Sequence, residues 1–454
     1  MLTTVLNPTL LLLAGLALTA LVGTWRSWTA RESLEQFVRL ASTRTVIVLL
    51  LVLTAVAVAS RIVLGLMSPG AYAEEVLAAR TFLEQRRLYS DDSRSDLAQW
   101  LEQEQPLAWE LPGTSPCQDS AMAQRARFYT SHAHMPTLLL ASVPIVHLLG
   151  GRGLYLVLLG LSALAVAAIA RVLLALAGCS WRSRSGLLIV IALCGWQPVL
   201  AGLKQGDAVL VAAALVVFSW HWARLGRSAP AALAGGLSIC LALPSAGVLP
   251  ALVRWKPRAG LLASTVPVGA LGLTALVAGP LVLADFGVTL VETARTYAAA
   301  LPNYAVLGRA IGEGVAPGLA ATCLALALAA TMFSRRTPDQ LFPPCILVGL
   351  AAMPLLWSQH MALTAIPAVI LLQRVLRQRS AVPLFVWACL VLLLSLPDPA
   401  VFHLNDLVPI PSPSGATVPV VPFALASVWL WLLVDGSAQQ ARARADVTHL
   451  PLSV

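Results

Sequence analysis

Charged side chains are scarce in this 454-residue chain, and lysine is almost absent. Only 11% of the residues are charged, whereas the share in soluble domains is about a quarter. Hydrophobic residues make up 58% of the chain, and the mean hydropathy is +0.80. These values exclude an ordinary soluble domain. The net charge of +9 comes from arginines in short loops between apolar runs, so it indicates membrane orientation and argues against a nucleic-acid partner.

Patterns that bind metals or form disulfides are missing as well. His132 and His134 are two residues apart, but no HExxH or equivalent motif supplies the further ligands that zinc needs. Cys117 is the one cysteine in a polar loop, so we expect no disulfide. We expect no metal and no cofactor either. The other cysteines lie in or beside apolar runs: Cys179, Cys194, Cys240, Cys323, Cys345 and Cys389.

Apolar runs long enough to cross a bilayer as a helix, about 17 to 25 residues, recur along the chain. We predict an all-α, polytopic membrane protein with roughly 11 to 13 transmembrane helices. The first run follows an uncharged segment, which predicts an uncleaved helix whose N-terminus faces outward. The predicted spans lie near residues 9–25, 45–67, 135–150, 154–177, 186–203, 207–223, 229–253, 261–284, 316–334, 341–357, 361–373, 381–396 and 418–434.

Arginine predicts which loops share a side of the membrane, because short cytoplasmic loops carry an excess of positive charge. The loops expected at the cytoplasmic face are 26–44, 182–184, 224–227, 254–258, 335–336, 374–379 and the tail with Arg442 and Arg444. The loops expected outside are 68–134, 204–207, 285–315, 357–360 and 397–417. Amphipathic patterns over residues 73–89 and 285–301 predict helices that lie on the outer surface.

Two segments do not fit a simple alternation of sides. Residues 229–253 begin and end beside positive loops, which favours two half-helices that meet at Pro244 and Ser245. Residues 135–178 contain two apparent spans, although charge assigns the flanking loops to opposite faces. Either Arg171 begins a surface helix, or one of these two spans is misplaced.

Five polar clusters fall at the outer ends of the predicted spans. Ionisable residues near a bilayer are costly and usually mark a pathway or a site. Taken singly, each cluster has an ordinary explanation, such as a charged first helical turn or a lysine that reaches the interface. Their common side favours one site. The clusters are Glu74 with Glu75, YTSHAHMP with His132 and His134, KQGD with Lys204, Gln205 and Asp207, PNYAVLGR with Asn303 and Arg309, and LLWSQH with Gln359 and His360.

The order of these clusters, from about residue 70 to residue 376, resembles glycosyltransferase family 87, a group of membrane enzymes of the GT-C superfold. Ala78–Tyr89 is similar to the family's "G..LY" helix and follows two acidic residues, while Tyr129–Pro136 resembles its "HPP" motif. The KQGD turn resembles "GQxN", Asn303–Ala305 resembles "NxS", and Trp357–His360 resembles "W.HH".

The chain departs from that family at several positions. Glutamate stands where aspartate is usual, and within the "GQxN" turn Lys204 replaces glycine and Asp207 replaces asparagine. No lysine precedes Pro244, where the family has a "K..P" motif. Because Lys204 is predicted on the outer face, one hypothesis is that it takes over the role of this missing lysine.

The resemblance implies a GT-C-like membrane module over residues 45–376 with the outer loop 68–134, preceded by a helix and loop (1–44) and followed by C-terminal helices and a tail (377–454). It implies metal-independent, inverting transfer of a hexose, with mannose expected, from a polyprenyl-phosphate donor to a lipid or glycan acceptor at the outer face of the cell membrane. Glu74 or Glu75 would act as the base. The donor and its phosphate would be bound by His132, His134, Lys204, Gln205, Asp207, Asn303, Arg309, Gln359 and His360.

Two other classes of protein remain open. A lipid or glycan transporter, or a flippase, would also have many spans, a broken segment at Pro244 and polar groups within the membrane. An inactive relative of the family would explain the departures from its motifs. The glycosyltransferase, the transporter and the inactive relative would all be surrounded by membrane lipids.

Overall fold

The computed structural model describes residues 7–67, 72–84, 135–300, 317–334, 337–353, 356–396, 410–411, 417–418 and 424–432. Within these ranges the regular structure is helical, apart from a short antiparallel pair of Ile410–Pro411 with Thr417–Val418. The all-α prediction is therefore confirmed. The α-helices are α1 (Pro8–Trp25), α2 (Ala30–Ala41), α3 (Arg44–Met67), α4 (Tyr72–Leu83), α5 (Thr137–Ala177), α6 (Arg184–Cys194), α7 (Gln197–Gln205), α8 (Val209–Arg224), α9 (Ser228–Leu241), α10 (Val248–Trp255), α11 (Pro257–Ala278), α12 (Leu281–Ala300), α13 (Pro317–Ser334), α14 (Pro338–Ala351), α15 (Ala365–Val375), α16 (Val382–Leu394) and α17 (424–432).

Several helices have the length and composition of membrane spans. Among the described residues, four candidates qualify alone, and α6 with α7 makes a fifth if the pair, bent by 51°, is one span. Other predicted spans coincide with shorter apolar helices such as α8, α9 and α16. The helices are compatible with a membrane protein, and the larger number of spans stays a prediction. The four single candidates are Pro8–Trp25, Arg44–Leu66, Ala141–Ala177 and Pro257–Ala278.

The two spans expected within residues 135–178 form α5, which is interrupted at Gly150. Gly150 has φ 71° and ψ −177°, a conformation that is open to glycine and strained for other residues. Nothing lies within 4 Å of the position that a Cβ would take there, so steric crowding does not require glycine at this position. The positive φ angle does. The predicted division at residue 150 therefore corresponds to a real break in the helix.

The segment predicted to break at Pro244 and Ser245 does break there. Helix α9 ends at Leu241, a 3-10 helix covers Leu243–Gly247, and α10 begins at Val248. Proline cannot donate a backbone hydrogen bond, so it suits the start of the 3-10 turn. This turn packs on α14, where a Cβ on Gly247 would clash with the Cys345 carbonyl oxygen. The break therefore depends on close approach between two backbones.

Polar contacts join several helices at the end that carries the arginines. The Asp339 carboxylate accepts a hydrogen bond from Trp220 Nε1 at 2.9 Å and pairs with Arg224 Nε at 3.0 Å. Arg374 is buried, and its guanidinium donates to the Leu432 carbonyl at 3.1 Å. Together these contacts connect α8, α14, α15 and α17 around a continuous core of apolar side chains. Alanine is frequent in this core, which lets the helices approach closely.

The close approach at Gly247 leads to a stability prediction. Gly247→Ala should destabilise the fold by about 1–3 kcal/mol, because the methyl group would force the 3-10 turn away from α14. Gly272→Ala is the matched control, since nothing lies within 4 Å of its Cβ position in α11 and alanine favours helix. Thermal unfolding of the detergent-solubilised protein measures both. Equal transition temperatures for the two variants would contradict the packing described here.

Candidate functional site

The KQGD turn joins α7 to α8. Helix α7 ends at Gln205, and Gly206 follows with φ 61°, the left-handed conformation that commonly closes a helix. Asp207 is buried, at 3% exposure, and its Oδ1 accepts a hydrogen bond from the Val209 amide at 3.2 Å. The Asp207 side chain therefore accepts from the first amide of α8, from the position just before the N-cap residue Ala208. Lys204 and Gln205 are partly exposed at the end of α7.

Two tyrosines fix this turn in place. The Tyr155 hydroxyl donates to the Leu203 carbonyl at 3.1 Å and lies 3.3 Å from the Ile62 carbonyl. The ring of Tyr155 lies 5.1 Å from that of Tyr72, centroid to centroid. A Cβ at Gly206 would approach the Tyr155 ring to 2.5 Å and the Tyr72 ring to 3.3 Å. Helices α3, α4, α5 and α7 therefore meet at Tyr155, next to the KQGD turn.

The Trp357–His360 segment packs against the same turn. Ser358–Thr364 forms a 3-10 helix that contacts α7 and α8. Gln359 is buried, and its Nε2 donates to Asp207 Oδ2 at 3.4 Å, at the long end of the hydrogen-bond range. His360 is also buried, and its Nδ1 accepts from the Trp357 amide at 2.9 Å, which leaves the proton of the neutral ring on Nε2. Two predicted clusters thus meet in one buried site.

Glu75 belongs to the helix that brings Tyr72 to the site. Glu75 is 1% exposed and lies three residues after Tyr72, so the two side chains share a face of α4, one helical turn apart. The same face includes Val76 and Ala79, which pack against α5. Glu75 is therefore buried beside the Tyr155 junction. The Glu74 side chain lies outside the described part of the structure.

The helix predicted over residues 73–89 is described as α4, Tyr72–Leu83. Val76 and Ala79 of the predicted apolar face are buried, whereas Leu83 is 42% exposed. The helix carries a buried carboxylate as well as apolar groups on the side that faces α5. Its apolar side therefore packs against protein, and the expected placement on the outer surface stays a prediction.

The remaining predicted site residues, His132, His134, Asn303 and Arg309, lie outside the described residues. Within the described part of the chain, no group of three or more potential metal ligands occurs. Sequence reasoning missed the two tyrosines that hold the site together. A signal was present, because a tyrosine inside an apolar segment such as that around Tyr155 needs a partner for its hydroxyl.

Comparison of the chain with protein-family models, with curated proteins and with solved structures finds no match.

Asp207 tests whether this junction is structural. Asp207→Ala should destabilise the protein by about 1–2 kcal/mol, because both the hydrogen bond from the Val209 amide and the contact with Gln359 are lost. Asp207→Asn should lower the stability by less than half of that amount, because its Oδ1 still accepts from the Val209 amide. Its side-chain amide can also pair with Gln359 once the Gln359 amide has rotated. Thermal unfolding followed by tryptophan fluorescence measures both variants. An Asp207→Ala protein that unfolds at the wild-type temperature would rule out this structural role.

Proposed function

We propose that the chain is a metal-independent, inverting membrane glycosyltransferase of the GT-C type. It transfers a hexose, with mannose expected, from a polyprenyl-phosphate donor to a hydroxyl of a lipid or glycan acceptor. The proposal includes a polytopic, GT-C-like arrangement with the site at the outer face of the cell membrane. Membrane lipids surround the protein and supply the donor.

One observation supports this proposal most. The KQGD turn and the Trp357–His360 turn come from distant parts of the sequence and meet through Asp207 and Gln359. Glu75 is buried one helical turn after Tyr72, whose ring packs against Tyr155 beside the KQGD turn. Buried ionisable side chains are costly in an apolar protein, so such a group favours a functional site. These pieces are three of the five clusters whose sequence order resembles glycosyltransferase family 87.

In the proposed reaction, Glu75 acts as the general base. Its carboxylate takes the proton of the acceptor hydroxyl while that oxygen attacks the anomeric carbon from the side opposite the phosphate. The new glycosidic C–O bond forms, the bond from the anomeric carbon to the phosphate oxygen breaks, and the electron pair leaves with polyprenyl phosphate. One displacement inverts the configuration. Glu74 is the neighbouring candidate for the same role.

The leaving phosphate gains negative charge and needs nearby cations or hydrogen-bond donors. We assign this task to the Lys204 ammonium group and to the Nε2–H of His360, which its Nδ1 bond to Trp357 orients. His132, His134, Asn303 and Arg309 complete the proposed donor site from the sequence. Gln205 stands at the position that matches the glutamine of the family motif, beside the lysine.

Asp207 receives a different role, because a carboxylate repels phosphate. Oδ1 accepts from the Val209 amide and Oδ2 accepts from Gln359, so the side chain fixes the relative positions of two turns. Gln359 is therefore aligned by Asp207. We therefore assign Asp207 to the proposed donor site as a positioning residue.

Transport of a lipid or glycan is the second candidate function. It is favoured by the interrupted segment at Leu243–Gly247 and by the 51° bend between α6 and α7, because broken helices line substrate sites in transporters. Proteoliposomes loaded with labelled polyprenyl-phosphate mannose separate the two. Release of labelled product with a new glycosidic bond supports transfer, and translocation of the unchanged donor supports transport.

The base assignment predicts the effect of one substitution. Glu75→Gln should lower the rate of sugar transfer by about 10²–10⁴-fold, because the amide cannot accept the proton. Affinity for the donor should change little. Purified protein, radiolabelled polyprenyl-phosphate mannose and a lipid extract as acceptor provide the assay. Glu84→Gln, at an exposed position directly after the same helix, is the control and should retain the wild-type rate. Normal turnover by folded Glu75→Gln protein would move the base to Glu74 or overturn the mechanism.

The chain has only two lysines, which provides a matched pair for the donor site. Lys204→Ala should weaken binding of polyprenyl phosphate about tenfold or more, because a charge-assisted contact with the phosphate is lost. Lys256→Ala should leave binding unchanged, since its ammonium group contacts the Gly226 carbonyl and the Trp255 ring instead. Tryptophan fluorescence titration with polyprenyl phosphate measures both. Equal affinities would remove Lys204 from the donor site.

A further inference from the structure

A pocket lies away from the KQGD junction. It is a groove of about 720 Å³ between α5 and the C-terminal part of α8, with Trp181 of the following loop at its edge. Ala168 and Ala175 of α5 contribute to an apolar floor, and Trp222 contributes to the opposite wall. This volume is in the range of ordinary ligand sites, roughly 300–1,000 Å³. The groove is open to the surroundings along exposed parts of α5.

Arg171 is the charged group of this groove. It is exposed and precedes the end of α5 at Ala177 by six residues, which is about 9 Å along the helix axis. Every residue from 172 to 177 is apolar. Within the described ranges of the chain, no carboxylate forms an ion pair with Arg171. A cation in such apolar surroundings is costly, so an anionic partner would stabilise it.

Aromatic and polar groups surround this cation. The rings of Phe218 and Trp222 stack at 5.3 Å, and Trp181, 46% exposed, lies at the rim. Tryptophan is typical of the level of lipid headgroups. His221 also lines the groove, and its Nδ1 is buried with no hydrogen-bond partner among the residues that the structure describes. The groove thus combines apolar and aromatic side chains with the guanidinium group of Arg171 and the imidazole of His221.

The nearest loops make this end of the molecule strongly positive. Arg182 and Arg184 follow Trp181, and Arg224 and Arg227 follow Trp222. Arg224 pairs with Asp339, and among the described residues Arg171 is the arginine that lines the groove. Arginine-rich loops belong to the cytoplasmic side under the positive-inside rule, where anionic lipids are recognised by basic pockets between helices.

We propose that this groove binds an anionic phospholipid of the leaflet that faces the arginine-rich loops. The phosphate of the headgroup pairs with Arg171, and an acyl chain lies against the apolar side chains that line the groove. A soluble phosphate would not use the apolar floor, so a lipid fits the whole groove better. The site is separate from the donor site, because it is formed by the other end of α8. Its occupant holds α5 and α8 together and also accounts for an arginine within an apolar helix.

Native mass spectrometry of the full chain, released from phosphatidylcholine nanodiscs that contain phosphatidylglycerol, tests the proposal. The wild-type protein should retain phosphatidylglycerol in preference to phosphatidylcholine. Arg171→Gln should reduce the retained phosphatidylglycerol about tenfold, because the charged contact is lost. Arg182→Gln is the control: its side chain is exposed in the neighbouring loop and does not line the groove, so retention should be unchanged.

A second pair of variants tests the apolar floor. Ala175→Trp should fill the groove and displace the lipid, whereas Ala59→Trp, at an exposed position of α3, should not. Both alanines are exposed, so the variants should fold. Excess inorganic phosphate should fail to displace the lipid. Unchanged retention in both Arg171→Gln and Ala175→Trp, equal retention of the two lipids, or displacement by inorganic phosphate would each overturn the proposal.

Discussion

Backbone groups at helix ends must find hydrogen-bond partners inside an apolar protein, and this requirement organises the centre of the molecule. The Leu203 carbonyl near the end of α7 accepts from Tyr155, the Val209 amide at the start of α8 donates to Asp207, and the Trp357 amide donates to His360. Each such group would cost several kcal/mol if it were left unsatisfied in apolar surroundings. The polar side chains of the junction therefore have a structural role, which is to satisfy these backbone groups, whatever their role in function.

We assign functional roles to the same side chains. In each of them one atom bonds to the backbone, and another atom makes or can make a second contact. Asp207 uses one oxygen for the Val209 amide and the other for Gln359, which suits it to positioning. His360 accepts at Nδ1, so its ring presents an N–H at the opposite edge. A capped turn and a donor site are compatible, because rigid caps hold the remaining atoms in fixed directions.

Local features of the sequence predicted local features of the structure. Gly150 marks a break in a helix because of its positive φ angle, and Pro244 marks one because it has no N–H to donate. Both effects are confined to about one helical turn, so the local sequence is enough to predict them. Contacts over long separations could not be predicted in this way. Asp207 and Gln359 are 152 residues apart, and Tyr155 lies 48 residues from Leu203, so neither hydrophobic periodicity nor charge counting pairs them. The common side assigned by arginine counting nevertheless grouped the KQGD and Trp357–His360 turns, which do meet.

The use of arginine at one place and lysine at another also follows from the contacts that each cation has to make. At the arginine-rich end, Arg224 holds a carboxylate and Arg374 holds a carbonyl, tasks that suit the several fixed donors of a guanidinium group. An ammonium group on a flexible stem is a point charge that can follow a phosphate as it leaves. Of the two lysines, Lys256 has structural contacts at Gly226 and Trp255. Lys204 lies at the turn that follows α7, beside the contact between Asp207 and Gln359, and it is the lysine to which we assign the donor phosphate.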